Sequence, residues 1–138
     1  MRKLGIDYGE ARVGVAISDP LNITAQGLET INRNGSDKVV LRRLDEILAE
    51  YEVDTIVVGM PYNLKGEKTV RAEVTEQFIH KLKCKYNKIN IETIDERLTT
   101  VAAHKTMNYL DINKNKKRNI VDTISAVYIL ESYINKSK

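Results

Sequence analysis

The chain has 138 residues, of which 42% are hydrophobic and 30% are charged, a composition that excludes a disordered protein and predicts one domain over residues 1–138. No apolar run approaches the roughly 20 residues of a membrane helix, and the charged start excludes a signal peptide, so a soluble cytoplasmic protein is expected. One cysteine excludes an internal disulfide and a cysteine-rich zinc site, whereas the net charge of +3 permits a nucleic-acid partner without requiring one.

The first third of the chain predicts three strands and a helix. Residues 2–7 and 12–18 are short apolar segments, and the link between them is short enough for an antiparallel hairpin. Residues 24–32 predict a third strand. Ser36 is a candidate N-cap for a helix that runs to Tyr51, because apolar residues recur there at helical spacing.

The middle of the chain predicts alternating strands and helices. Residues 53–58 form a nearly continuous β-branched run, typical of a strand buried on both faces. A loop is predicted for 59–66 and an amphipathic helix for 70–86, whose apolar stripe is Val70, Val74, Phe78, Leu82 and Tyr86. Residues 89–94 alternate like a further strand.

The last third predicts two helices joined by a basic loop. Thr99 or Thr100 caps a helix that ends near Tyr109, the loop spans 113–118, and the last helix begins at Ile120. Three sequential strands favour a meander, and the later strand–helix–strand unit favours parallel pairing. The expected fold class is therefore α/β, a mixed sheet covered by helices.

Three carboxylates lie at positions where strands end or a helix starts. Asp7 ends the first strand, Glu96 follows the last strand, and Asp122 is predicted in the first turn of the last helix. If the first and last strands lie near the central one, these acids meet at one edge and suit Mg²⁺ or Mn²⁺. Each acid also has a structural explanation, as a turn residue, a solvated loop acid or a helix-end charge.

Other polar segments leave two interpretations open. Residues 114–118 carry four cations in five positions, which fits either a solvated loop or a phosphate contact beside the acids. The glycine-bearing loop after residue 58 is not a Walker A loop, because no Gly-Lys-Ser/Thr follows. Tyr8 and Tyr62, both predicted in loops, are candidates for base stacking.

Several motifs in this order resemble one family over residues 3 to about 131. The chain is similar to the YqgF family, also called RuvX, of the RNase H-like nuclease superfamily. The matching segments are Gly5-Ile6-Asp7-Tyr8-Gly9 with Arg12-Val13-Gly14-Val15-Ala16, Val57-Val58-Gly59-Met60-Pro61 with Gly66-Glu67, Asp95-Glu96-Arg97-Leu98-Thr99-Thr100, and Asp122-Thr123-Ile124-Ser125-Ala126.

The resemblance implies a fold, an activity and a set of site residues. The fold is a five-stranded mixed sheet of order 3-2-1-4-5 with helices on both faces. The activity is that of a nuclease dependent on Mg²⁺ or Mn²⁺, with Asp7, Glu96 and Asp122 as its catalytic and metal-binding acids. The family is associated with processing the 5′ end of precursor 16S rRNA and is similar to RuvC-type Holliday-junction resolvases. Those resolvases carry a fourth acid where this chain has Ser125.

The same hypothesis assigns partners and phosphate contacts. Structured RNA or branched DNA is the expected substrate, and the ribosome is a further candidate partner. Asp95 is a candidate for orienting the three acids. The residues expected to hold the phosphodiester backbone are basic, namely Arg12, Arg97, Lys116, Lys117 and Arg118.

Three alternatives stay open from the sequence. The first is a DNA resolvase, which requires two symmetry-related sites. The second is an actin-like ATPase or sugar kinase, whose first phosphate loop resembles residues 5–9, although this chain lacks the second phosphate loop. The third is a non-catalytic binder of structured RNA or of a protein partner.

Overall fold

A five-stranded mixed sheet forms the centre of the part described by this computed structural model, which comprises residues 1–62, 65–95 and 114–136. Side chains are described over the same ranges except for 114–122. The elements in chain order are β1 (Arg2–Tyr8), β2 (Arg12–Ser18), β3 (Ala25–Asn32), α1 (Asp37–Glu50), β4 (Val53–Met60), α2 (Val70–Lys85), β5 (Asn90–Asp95) and α3 (Lys114–Lys136).

The strands are arranged in the order β3-β2-β1-β4-β5. β1 pairs with β2 and β2 with β3 in antiparallel fashion, because their connections are too short for anything but hairpins. β4 pairs in parallel with β1 and with β5, since α1 and α2 provide the crossovers that parallel pairing needs. The predicted strand order and the mixed pairing are confirmed.

Helices cover both faces of the sheet. The face covered by α1 and α2, here called the α1/α2 face, holds the larger core; its most buried strand and helix residues include Leu4, Ile6, Val15, Ile56, Val58, Val40, Leu44, Ile47, Phe78 and Leu82. The opposite face, the α3 face, is packed by Ala16, Val57, Ala126, Ile129, Leu130 and Ile134. Successive residues of a strand therefore lie alternately on the α1/α2 face and on the α3 face.

Small residues let α3 approach the sheet closely. Gly5 pairs with Ala16, and Ala16 pairs with Gly27, so these three form a row across β1, β2 and β3. A Cβ atom on Gly5 would lie 2.7 Å from the carbonyl oxygen of Ala126, and one on Gly27 would lie within van der Waals overlap of the Thr123 methyl group. The row therefore fixes where α3 sits on β1 and β3.

The apolar stripe predicted for α2 is only partly buried. Phe78 and Leu82 are fully buried, whereas Val70 is 77% and Val74 is 43% exposed. A spacing of four residues advances 40° beyond a full turn at each step, since the helix has about 3.6 residues per turn. The stripe consequently turns away from the core toward the start of the helix, and Ala72 and Thr75 are buried there instead.

The last helix begins earlier than the sequence predicts. The basic segment that was expected to be a loop is helical from Lys114 onward, which agrees with the favourable helix propensity of lysine and arginine. Asp122 consequently lies about two turns into α3 and not in its first turn. The helix predicted from Thr99 or Thr100 to Tyr109 lies outside the described residues.

Among the helices in the described ranges, none has the length and apolar character needed to cross a membrane.

Candidate active site

Asp7 lies near the end of β1, on the α3 face. It is two residues beyond Gly5, which packs against α3, so strand alternation puts both residues on that face. On β2 the residue paired with Asp7 is Gly14. On β4, Val58 pairs with Ile6, so the next residue along is Gly59. The residues directly opposite this half-buried carboxylate on the two adjacent strands are therefore both glycines.

A hydroxyl pair attaches α3 to the row of residues that contains Asp7. Gly14 pairs with both Asp7 and Thr30, so these three residues form a row across β1, β2 and β3. The Oγ1 atoms of Thr30 and Thr123 lie 2.8 Å apart and form a hydrogen bond. Because Asp122 directly precedes Thr123, the backbone of α3 at this predicted site residue lies near the Thr30 end of the row.

The direction of α3 brings Asp122 toward the end of β1. Ala126 approaches Gly5, and Asp122 is one helical turn before Ala126. Thr123 contacts both Gly27 and Thr30, which lies farther along β3. Val127, one helical turn later, approaches Gly27, so α3 runs antiparallel to β3 and to β1, which is parallel to β3. The structure therefore brings Asp7 and the backbone of Asp122 to the same face and the same end of the sheet.

The third predicted acid, Glu96, and its neighbour Arg97 lie outside the described residues. Asp95, the last residue of β5, is exposed and pairs with Met60. Met60 is buried in the core of the α1/α2 face, so Asp95 occupies a position on that face and not on the face of Asp7. Asp95 is therefore a poor candidate for orienting Asp7.

The structure places the predicted cations in two locations. Arg12 is two residues before Gly14, so it shares the α3 face and the same end of the sheet with Asp7. The backbones of Lys116, Lys117 and Arg118 lie in the opening turns of α3. The two groups therefore lie toward the end of the sheet that holds Asp7 and the backbone of Asp122.

Tyr8 packs into the core of the α1/α2 face at the end of β1. The prediction that it stacks on a base is therefore wrong. Tyr8 is the last residue of β1, not a loop residue, and is only 5% exposed. Its ring stacks on Phe78 with 4.2 Å between centroids, and Arg33 lies 5.4 Å over the ring. Its hydroxyl donates to Asp37 Oδ1 at 2.5 Å. Burial and Asp37 together raise the pKa of Tyr8 to about 12.

Asp37, at the start of α1, collects three donors. Besides Tyr8, it accepts from Lys81 at 2.8 Å and from Arg33 at 3.0 Å. Burial opposes the ionisation of Asp37, but the hydrogen bonds from Lys81, Tyr8 and Arg33 outweigh it and hold the pKa of this carboxyl below its usual value. This cluster links α1, α2 and the residue that follows Asp7.

We expect Asp37→Asn to lower the free energy of unfolding by about 2 kcal/mol near neutral pH, because charge-assisted hydrogen bonds are lost. The pKa of Asp37 is lower in the folded than in the unfolded state, so its contribution is complete above the ordinary value of 3.8 and disappears as the pH falls through the folded value. Urea titrations should therefore show a smaller difference between wild type and variant at about pH 3 than at about pH 6.

Asp54→Asn is the matched control for this prediction. Asp54 pairs with Lys3 at 3.3 Å, and its side chain is 42% exposed. Exposed ion pairs contribute about 0–1 kcal/mol, so the control should differ little from wild type at either pH. A difference for Asp37→Asn that stays constant between the two pH values would contradict the assigned ionisation.

Two arginines lie beside Tyr8 without any motif in the sequence that marks them. Arg33 follows β3, and Arg71 lies at the start of α2, with its Nη2 atom 3.5 Å from the carbonyl oxygen of Tyr8. No motif spacing joins positions this far apart in the chain. The exposure of Val70, which is next to Arg71, marks this surface as a candidate binding site. The sequence does not reveal this exposure, because Val70 fits the predicted apolar stripe of α2.

Comparison with known sequences gives matches along nearly the whole chain. The family described as "RuvX: Holliday junction resolvase" matches residues 1–136. A protein of Ruminiclostridium cellulolyticum named "Putative pre-16S rRNA nuclease" is 54% identical over 136 residues, which are 99% of this chain and 95% of that protein. A protein of Acetivibrio thermocellus with the same name is 50% identical over 135 residues, covering 98% and 96% of the two chains.

Solved structures of two resolvases share the fold. The Holliday junction resolvase of fowlpox virus matches with a TM-score of 0.59 at 13% identity, over 100% of both chains. RuvC of T. thermophilus in complex with a Holliday junction substrate matches with a TM-score of 0.57 at 13% identity, over 99% of this chain and 96% of the other. These likenesses confirm the expected RNase H-like fold.

Proposed function

Because the chain belongs to the RuvX family, we propose that it is a divalent-metal-dependent nuclease that processes the 5′ end of precursor 16S rRNA. The observation that carries the proposal is the approach of Asp7 and the backbone of Asp122 at one end of the sheet. The name shared by relatives that match 98–99% of the chain supports the choice of RNA as substrate.

The acids would provide the metal site. Carboxylate oxygens are the ligands that Mg²⁺ and Mn²⁺ prefer, and the half-buried Asp7, flanked by Gly14, fits such a role. Asp122 would contribute from α3. Glu96, which directly follows Asp95 in the sequence, would contribute the third carboxylate. When bound, the metal supplies Lewis-acid stabilisation of charge on the reacting phosphate.

Basic residues would position the phosphodiester backbone. Arg12 shares the face and sheet end of Asp7, so its guanidinium can neutralise a phosphate next to the acids. Lys116, Lys117 and Arg118 would contact the strand farther along, from the opening turns of α3. Arg97 would act beside Glu96. Such contacts orient a strand but do not read its sequence.

The experiment that tests this function compares two substrates. Purified protein is incubated with Mg²⁺ or Mn²⁺ and either a labelled 5′ fragment of precursor 16S rRNA or a four-way DNA junction, and parallel reactions contain EDTA. Metal-dependent cleavage of the RNA alone is the expected result. Symmetric cleavage of the junction would assign the protein to the resolvases and predict a dimer. Binding of the RNA without cleavage would favour a non-catalytic assembly factor.

A further inference from the structure

A pocket opens beside the end of β1 on the α1/α2 face, across the sheet from Asp7. Its volume is about 290 Å³, and its walls include Tyr8, Arg33, Val70, Arg71 and Val74. It thus lies between the chain that leaves β3 and the first turns of α2. The pocket combines arginine side chains with an apolar surface, a combination that the proposed acid site does not use.

The apolar wall of the pocket comes from α2. Val70 and Val74 are separated by four residues, so they lie one above the other on the helix. They are 77% and 43% exposed, and both are among the few large apolar side chains that the described residues expose. Burial of this surface by a ligand would be favourable by the hydrophobic effect.

The cationic wall consists of two arginines, of which Arg33 is held by hydrogen bonds and Arg71 can bind a ligand. Arg33 donates from Nη1 to the carbonyl oxygen of Glu10 at 2.5 Å and from Nε to Asp37 at 3.0 Å, so its position is fixed. Arg71 is exposed, and its 3.5 Å contact with Tyr8 lies at the outer limit of a hydrogen bond. A guanidinium has five N–H donors, so most of those on Arg71 can serve a ligand.

The charges near the pocket favour an anion. Arg33, Arg71 and Lys81 carry three positive charges, whereas Asp37 and the pocket residue Glu10 carry two negative charges. Arginine matches the geometry of phosphate oxygens better than lysine does, because its planar fork donates two parallel hydrogen bonds. A ligand with a phosphate and an adjoining apolar or aromatic group would satisfy both walls.

The pocket and the proposed active site lie at the same end of β1, on opposite faces of the sheet. Tyr8, which forms part of its wall, directly follows Asp7, and the two side chains lie on opposite faces of β1. A nucleic-acid strand that places a phosphate at Asp7 and continues over the end of β1 would run toward Arg71 and the two valines. This shared strand end favours a nucleic-acid strand over a protein partner as the occupant.

We propose that this pocket binds a nucleotide of the RNA substrate next to the cleaved linkage, with Arg71 on its phosphate and Val70 and Val74 against its ribose and base. The inference rests on the proposed function for the identity of the strand, but its binding step does not require catalysis. The pocket would therefore position the strand and contribute affinity, while the acids on the other face perform the chemistry.

The first test measures RNA affinity by fluorescence anisotropy in EDTA, where no metal-dependent cleavage proceeds. Arg71→Ala should weaken binding about tenfold, the effect of losing a charge-assisted hydrogen bond, and should reduce the slope of log affinity against log salt by about one. Arg42→Ala, an exposed arginine on α1 outside the pocket, is the matched control and should bind like wild type. Replacement of both valines by asparagine should weaken binding without changing the salt slope.

A second test locates the phosphate that Arg71 contacts. A series of RNAs carries one uncharged methylphosphonate at successive linkages, and each is bound to wild type and to Arg71→Ala. At one linkage the methylphosphonate RNA should bind equally well to wild type and to Arg71→Ala. The uncharged linkage and the protein variant each remove the same contact, so the second change has no further effect on affinity. If the affinity difference between wild type and Arg71→Ala persists at every linkage, the proposal is overturned. Equal RNA affinity of Arg71→Ala and Arg42→Ala would also overturn it and would favour a protein partner. A defect confined to a DNA junction would also overturn it.

These tests separate the pocket from the proposed function. If RNA cleavage depends on Asp7 but Arg71→Ala binds normally, only the pocket assignment is wrong. If Arg71→Ala weakens RNA binding but the wild-type protein does not cleave, the pocket assignment stands and the nuclease assignment is wrong. If the wild-type protein does not bind RNA, the pocket assignment is wrong as well.

Discussion

Asp7→Asn is expected to reduce the rate of RNA cleavage about a thousandfold or more while leaving the fold intact. The substitution keeps the size of the side chain but removes the negative charge that a divalent cation requires. A metal contributes several kcal/mol to stabilising the transition state, and each 1.36 kcal/mol changes the rate about tenfold. The rate is measured with a labelled RNA under single-turnover conditions, and the fold is checked by circular dichroism and thermal unfolding.

Asp54→Asn, the control for the stability of Asp37→Asn, is also the matched control for the cleavage rate of Asp7→Asn. Asp54 is also a half-buried strand aspartate, but it lies at the start of β4, the opposite end of the sheet from Asp7. It should cleave at the wild-type rate. Full activity in a folded Asp7→Asn protein would show that this residue is not in the active site, and equal losses in both variants would show a general loss of stability.

The second large effect concerns Asp122. Asp122→Asn should also reduce cleavage by about two to four powers of ten, and the double variant with Asp7→Asn should be hardly slower than the slower single variant, because residues that act as a unit have non-additive effects. The comparison tests whether the approach of α3 to the end of β1 has the functional meaning assigned to it. Single-turnover rates of the two single variants and the double variant give the coupling directly.

Ser125→Ala provides a structural control on the same helix. Ser125 is only 1% exposed and lies three residues after Asp122, where RuvC-type resolvases are expected to carry a fourth acid. If three acids suffice, this variant should keep most of the activity.

Multiplicative losses in the double variant of Asp7 and Asp122 would indicate two independent roles and contradict a shared site.

The sheet was largely predictable because its determinants are local. The short link between residues 7 and 12 leaves a hairpin as the natural connection, and the β-branched run that starts at Val53 is buried on both faces as expected. The strand order beyond the hairpins is a long-range property. It came from the family resemblance, which rests on motifs and not on strand propensity.

The mistakes arose where helical geometry or tertiary contacts decide the outcome. Val70 and Val74 fit an apolar stripe with a spacing of four, but the stripe drifts off the buried face and exposes both residues. The basic segment after Asn113 was expected to be a loop because it is highly charged, yet lysine and arginine favour a helix that packing of its later turns stabilises.

The candidate site was predictable by residue type but not by placement. Asp7 and Asp122 could be chosen as strand-end and helix acids, whereas only the contacts of Gly5 with Ala126 and of Thr30 with Thr123 reveal how α3 lies on the sheet. The prediction that Tyr8 stacks on a base is wrong because it assumed a loop position for this residue. The burial of Tyr8 against Phe78 depends on α2, which is distant in the sequence.

The central claim is that Asp7, Glu96 and Asp122 together form a divalent-cation site. Its most direct test is a titration with Mn²⁺, in which the electron paramagnetic resonance signal of the free ion reports binding. The wild-type protein and Asp54→Asn should bind Mn²⁺ alike. Asp7→Asn, Glu96→Gln and Asp122→Asn should each lose affinity by at least about tenfold, since each removes a charged ligand from the same site. Wild-type Mn²⁺ affinity in any of these three variants would contradict the shared site.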